Sequence, residues 1–259
     1  EGNVIRELDA SATATARATP GLSAAQVDAM STRTEYNTEV KNSEGVVVLP
    51  GNSRVTDTYG PTRLVALADG TQVQARPHTS TTYDQGAPTT LNPTTQQHWS
   101  LPTTITTGAS SPGAAPGTPD LQVISTVVNG YTKLNPADAT EGDPWTLGSP
   151  STVTTAGITR KTRVDTAGRV TDTRQPISNG ADAGTTKTAY YTVAAQAAPN
   201  AACGGKPEWA GLTCRTYPAA APSSGPSLPD EATTGYTMWL HPRTVVETSG
   251  TATRTTTTE

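Results

Sequence analysis

Hydrophobic and polar positions alternate along this chain in short runs, cut at close intervals by dipeptides that tolerate positive φ. Asp69-Gly70 separates residues 63–67 from 71–74, and Asn129-Gly130 separates 121–128 from 131–133. Ala156-Gly157 and Ala167-Gly168 bracket 158–165, and Ser249-Gly250 splits 244–247 from 251–254. Such dipeptides between alternating runs predict antiparallel hairpins joined into a meander. Thr fits the pattern, because its branched side chain packs on a pleated surface and its hydroxyl can face water.

One helix is expected, over 23–30, with Pro20-Gly21 before it and Ser23 as its N-cap. Residues 11–19 alternate Ala with Thr or Arg and read as strand or tail. The Pro/Gly-rich stretch 110–120 and the Pro-rich excursion 216–230 read as linkers or loops. The expected organisation is therefore an Ala/Thr-rich segment with a short helix over 1–30, a hairpin block over 31–109, the linker 110–120, and a second hairpin block over 121–259.

Composition sharpens this reading. Of 259 residues, 51 are Thr, only 36 are Leu, Ile or Val, and none is Phe, which leaves little for an apolar core and excludes a compact Leu-rich helical enzyme. A net charge of −4 is too small for the self-repulsion that accompanies disorder. No basic cluster marks a nucleic-acid or membrane surface, and no apolar run is long enough to span a bilayer. The start lacks the basic and apolar regions of a signal peptide and does not begin with Met, so an internal or processed piece is expected.

Tyr36, Tyr59 and Tyr83 recur at spacings of 23 and 24, and Tyr236 heads a further candidate unit. A two-strand unit that cannot bury its own face leans on its neighbours, which accounts for the thin apolar content. The chain here resembles the bacterial Rhs, or YD-repeat, family, whose unit is Tyr-Asp, two variable residues, then Gly-Arg and an aliphatic residue. Val164-Asp165-Thr166-Ala167-Gly168-Arg169-Val170 matches except for Val164 in the Tyr position. Tyr83-Asp84-Gln85-Gly86 keeps the Tyr-Asp and has its Gly one position early, Tyr59-Gly60 keeps the Tyr, and Tyr236 to Pro242 is a degenerate unit carrying Trp239. The Lys-poor, Arg-favouring composition matches a high-GC bacterial source.

The resemblance implies an all-β fold, an antiparallel hairpin-repeat sheet forming part of a spiralling shell around a C-terminal, often toxic, cargo. The partners would be the remaining repeats and that cargo, and the location secreted or cell-surface. In physical terms the Tyr brings a large face with a polar tip, the Asp bonds turn amides, and the Gly supplies positive φ.

The remaining chemistry is sparse. Cys203 and Cys214, the only cysteines, read as a disulfide closing a short loop, worth about 3 kcal/mol. His78, His98 and His241 have no ligand-like spacing to them, so neither a zinc site nor a catalytic Cys-His pair has a motif behind it. Asp138, Glu141 and Asp143 could bind calcium or simply line a solvated turn. Trp99, Trp145, Trp209 and Trp239 are core anchors or, if exposed, platforms for sugar rings. No nucleophile elbow or phosphate loop is present, and no cofactor is implied. A non-catalytic shell segment is the leading expectation, with a self-contained adhesive or carbohydrate-binding β module as the rival.

Overall fold

The structure, a computed structural model, describes residues 3–258. It is all-β and antiparallel, with 40% strand against 10% helix. The chain divides into two compact units, one running to Gly130 and including Val153–Gly157, the other comprising Tyr131–Thr152 and everything from Ile158.

The first unit carries β1 (Arg6–Glu7), β2 (Thr32–Tyr36), β5 (Val55–Tyr59), β7 (Gln72–Tyr83), β8 (Pro102–Ser110), β9 (Gln122–Gly130) and β10 (Thr152–Thr155), hydrogen-bonded in that order. β6 (Arg63–Ala66) pairs with the start of β7, and β3 (Val40–Lys41) with β4 (Val47–Leu49) forms a separate two-stranded flap. The second unit is a meander of β11 (Ile158–Val164), β12 (Val170–Arg174), β13 (Thr185–Tyr190), β14 (Thr213–Pro218), β15 (Asp230–Tyr236), β16 (Pro242–Ser249) and β17 (Ala252–Thr257).

Two helices lie between β1 and β2 where one was expected. Residues 11–19, read as strand or tail, form most of α1 (Ala10–Ala18). Asp9 caps it by accepting the Ala12 N–H at 2.7 Å, and the Thr15 hydroxyl bonds back to the Ser11 carbonyl at 3.0 Å. Ala-rich helical propensity with a cap outweighs an alternation that has no buried face to serve. α2 (Ala24–Met30) starts at the expected Ser23, which forms a capping box with Gln26. A third helix, α3 (Pro144–Leu147), is a single turn.

A five-residue hairpin loop recurs. At Asp165–Arg169 the N–H of the first residue donates to the carbonyl of the fifth, and the N–H of the fourth donates to the carbonyl of the first, both at 2.9 Å. The Asp165 carboxylate accepts the N–H groups of the third and fifth residues. Asn42–Val46 repeats all four bonds with an amide oxygen, and Thr237–His241 repeats them with a hydroxyl. Leu67–Thr71 keeps the two backbone bonds. The fourth position is always left-handed: Gly45, Gly70 and Gly168 at φ +79°, +83° and +78°, and Leu240 at +60°.

The expected hairpin at Asn129-Gly130 does not form. β9 runs through both residues, and the Asn129 side-chain amide donates to the Pro102 carbonyl of β8 at 2.9 Å. Beyond it Tyr131 turns inward against Trp145, ring centroids 4.8 Å apart. The dipeptide's turn preference yields to that cross-strand bond and to burial of the ring.

Leu240 and Gly168 occupy the same loop position, where glycine adopts the required φ without strain and leucine does not. Leu240→Gly should stabilise the second unit by about 1 kcal/mol and Gly168→Ala destabilise it by about 1 kcal/mol, both readable in thermal melts.

Candidate functional site

The hairpin loops converge on a repeated arrangement at the strand ends. At five clamps the residue before the clamping residue pairs across a β-bulge with the first residue of the returning strand: Tyr36 with Val55, Tyr83 with Pro102, Val164 with Val170, Tyr190 with Thr213 and Tyr236 with Pro242. Where the loop is long the clamp survives. Asn37 N–H donates to the Arg54 carbonyl and accepts the Arg54 N–H on its side chain, with 38–53 looped out. Asp84 does the same with Leu101 around 85–100, Gly86 lying left-handed just inside at φ +75°. Tyr191 N–H donates to the Leu212 carbonyl, closing a loop that contains Cys203.

Each tyrosine hydroxyl then reaches the preceding hairpin. Tyr83 donates to the Val55 carbonyl at 2.7 Å, Tyr190 to Val170 at 2.8 Å, and Tyr236 to Thr213. Tyr36 donates to Val4 at 3.2 Å, and Asn129 takes the role toward Pro102. Burial pushes the Tyr83, Tyr190 and Tyr236 phenols above their ordinary range, with Arg54 and Arg169 pulling the first two partly back. The hydroxyls therefore keep the protons they donate.

Arginine joins this relay. Arg54, just before Val55, lies 4.7 Å over the Tyr83 ring and pairs with Asp84 at 2.9 Å. Arg169, just before Val170, lies 4.6 Å over Tyr190 and pairs with Asp165. Burial raises the Asp165 carboxyl, but the Arg169 guanidinium and the Arg169 and Ala167 amides outweigh it and hold it below the usual carboxylate range. Two residues beyond each Val sits a buried aspartate. Asp57 faces His78 Nε2 at 3.1 Å, and Asp172 faces Lys187 at 3.0 Å and Arg174 at 3.1 Å.

The signal for these residues was in the sequence. Arg54-Val55-Thr56-Asp57-Thr58 and Arg169-Val170-Thr171-Asp172-Thr173 are identical pentapeptides, one in each unit. Tyr190, Asn37 and Arg54 were missed because search by Tyr-Asp spacing fails when loops of unequal length separate a clamp from its closing residue.

Tyr59 does not join the relay. Its ring is buried, stacked on His78 at 4.3 Å and 6°, with Arg33 at 4.3 Å on it. His78 is held at its other nitrogen by Asp120, 2.8 Å away, so each ring nitrogen faces a carboxylate on a different segment. Asp120 reaches His78 by passing over Gly108, where an added Cβ would lie 2.2 Å from its carboxylate. Beside it Arg76, 1% exposed, donates to Asp28 at 2.6 Å, the Ser31 carbonyl at 2.7 Å and the Gly60 carbonyl at 2.7 Å. With both nitrogens occupied and little exposure, this cluster is arranged to hold segments together.

Cys203 and Cys214 form the expected disulfide, Cα atoms 5.7 Å apart, within the second unit's apolar cluster of Ala189, Tyr191, Trp209, Leu212 and Tyr236. The acidic turn is internally committed. Glu141 is buried and accepts the Leu134 and Asn135 amides, while Asp138 pairs with Thr140 and Arg163. Among the described residues no group of three His, Cys, Asp or Glu is placed to hold a metal ion, and no helix is long and apolar enough to cross a membrane. Trp145 is buried, Trp209 is packed in the cluster, Trp99 donates to the Thr89 carbonyl at 3.0 Å, and Trp239 is exposed. No family model matches the chain, and no curated protein matches it.

Tyr190→Phe should cost about 1 kcal/mol by removing one bond of the relay. A phenol raised in the fold contributes stability that is complete below its unfolded value near pH 10 and fades as pH climbs through the folded value. The Phe variant should therefore lose less stability than the wild type in melts taken across that alkaline window. Gly108→Ala should displace Asp120 and destabilise the first unit by about 1–3 kcal/mol, with faster hydrogen exchange in β8 and β9.

Proposed function

We propose that this chain is a non-catalytic structural segment of an exported protein of the Rhs/YD-repeat type, forming part of a β shell around a C-terminal, toxin-like cargo. The observation that carries this reading is the recurrence of one device in two units: the same pentapeptide, Arg over the following Tyr, Tyr hydroxyl on the Val carbonyl, and a buried Asp facing a nitrogen-bearing side chain on the next strand. Recurrence of this kind is how arrays are built, each repeat borrowing its neighbour's surface. The disulfide suits an oxidising, extracellular compartment.

A self-contained adhesive or carbohydrate-binding module has Trp239 in its favour, as an exposed indole. Its neighbours Met238 and Leu240 offer a sugar no hydrogen bonds, which favours the structural reading.

Hydrogen exchange on the full oxidised chain separates the two. In an array, Tyr236→Ala should release protection in β14 to β16 and leave β2 to β8 as in the wild type, and Tyr83→Ala should do the converse. Uniform loss of protection throughout the chain from either substitution would show one cooperative module and overturn the shell reading.

A further inference from the structure

His78, 6% exposed, stands on β7 between two carboxylates from different segments: Asp57 of β5, 3.1 Å from Nε2, and Asp120, 2.8 Å from Nδ1. A carboxylate oxygen and a bare ring nitrogen both offer lone pairs. Each contact is therefore a hydrogen bond only with a hydrogen between its two atoms, on whichever of them it resides. Neutral imidazole with two carboxylates has one N–H for two contacts. One added proton, on the ring or on a carboxyl, completes both, so the bonding of the triad turns on a single titratable proton.

The charges around the triad do not replace that proton. Tyr59 of β5 stacks on the imidazole at 4.3 Å, with Arg33 of β2 4.3 Å and Arg76 of β7 5.8 Å from the centre of the Tyr59 ring. Arg33 pairs with Glu35 at 3.1 Å, and Arg76 with Asp28 of α2 at 2.6 Å, which also takes Arg6 of β1 at 2.8 Å. β8 places Gly108, which carries no charge, opposite His78. With these guanidinium groups committed, loss of the proton leaves a nitrogen lone pair against a carboxylate where water scarcely reaches.

Of the two acids, Asp120 is the one that can retreat. Asp57 is fixed by ladder pairing to Glu35 on one side and Ser80 on the other. Asp120 lies outside the strands, near the end of the crossing 111–121 between β8 and β9, which is mostly exposed and turns left-handed at Gly113 and Gly117. Besides Asp120, the crossing is fastened by Arg33, which donates to the Ala114 carbonyl at 2.8 Å, and by the Leu121 N–H, which donates to the Ala109 carbonyl at 2.8 Å.

We propose that Asp57, His78 and Asp120 form a proton-operated latch, which holds the 111–121 crossing against the first unit's sheet when protonated and releases it as pH rises. Imidazole is the side chain whose charge ordinarily changes between about pH 5 and about pH 8, so the latch needs no extreme condition. Its contribution is complete at the acid end and is lost as pH climbs, because the released state binds the proton less tightly. It does not rest on the shell reading.

Hydrogen exchange on the full oxidised chain, corrected for the intrinsic effect of pH on exchange, tests this between about pH 5 and about pH 8.5. In wild type, protection of the Leu121 amide and of β9 should fall by about tenfold or more toward the alkaline end, while β15 and β16 hold theirs. Asp120→Asn keeps the contact without the extra proton, since its amide donates to Nδ1 while the Nε2–H donates to Asp57. Its protection should stay high throughout. Asp120→Ala removes the contact and should be as poorly protected at the acid end as wild type is at the alkaline end. Circular dichroism checks that each variant folds, and either one alone completes the comparison. Wild-type protection that does not change with pH overturns the proposal. So does a fall shared equally by β15 and β16, an Asp120→Asn variant that follows the wild-type profile, or an Asp120→Ala variant as well protected as wild type at the acid end.

Discussion

The bond from a tyrosine hydroxyl to a main-chain carbonyl one hairpin back is what the rest of this structure leans on. The hairpins that begin at Asp84, Tyr191 and Thr237 are closed locally by their own clamps, and the hydroxyl of the tyrosine before each clamp fastens it to the hairpin before it. A single such bond is worth about 1 kcal/mol net, and a guanidinium over the ring adds a comparable amount. A chain with no Phe and few aliphatic residues has no large core to rely on. It compensates by making the same small gain at successive strand ends.

Charge performs inside the first unit the task that aliphatic packing performs elsewhere. Arg76 gathers the end of β5, the C-terminus of α2 and Asp28 on one guanidinium, and His78 ties β5 to the segment leading into β9. Buried ionic groups of this kind contribute little over well-packed apolar replacements, yet removal of one partner strands the other in a poor solvent. Their arrangement consequently punishes mispairing more than it rewards pairing. In a sheet made largely of threonine, where a slipped register would look much like the correct one, that asymmetry gives the strands a reason to stay in place.

Much of the meander was legible from local chemistry. Asp69-Gly70 and Ala167-Gly168 form turns because every bond they need lies within five residues. The Cys203–Cys214 bridge was equally plain, with two cysteines and one loop to close. Asn129-Gly130 carried the same turn signal and failed because the Asn side chain finds an acceptor on β8, a partner no local window contains. The clamps of Asn37, Asp84 and Tyr191 were hidden for a similar reason, since their closing residues stand beyond long intervening segments. The relay was half visible: Tyr36, Tyr83, Tyr236, Asp84 and Asp165 could be named and Tyr190 could not, and which carbonyl each hydroxyl meets depends on register. The repeated Arg-Val-Thr-Asp-Thr was the strongest clue to it.

The clamp at Asp84 and Leu101 is closed by the same main-chain bond and the same carboxylate contact as the one at Asp165 and Arg169, although the first spans 85–100 and the second three residues. Strand alignment is set before the loop begins and is indifferent to what the loop contains. The entropy of closing a longer excursion grows only slowly, by about 0.6 kcal/mol for each doubling of length. The strand ends thus act as sockets, into which segments of very different size and chemistry can be fitted while the pitch of the scaffold stays the same.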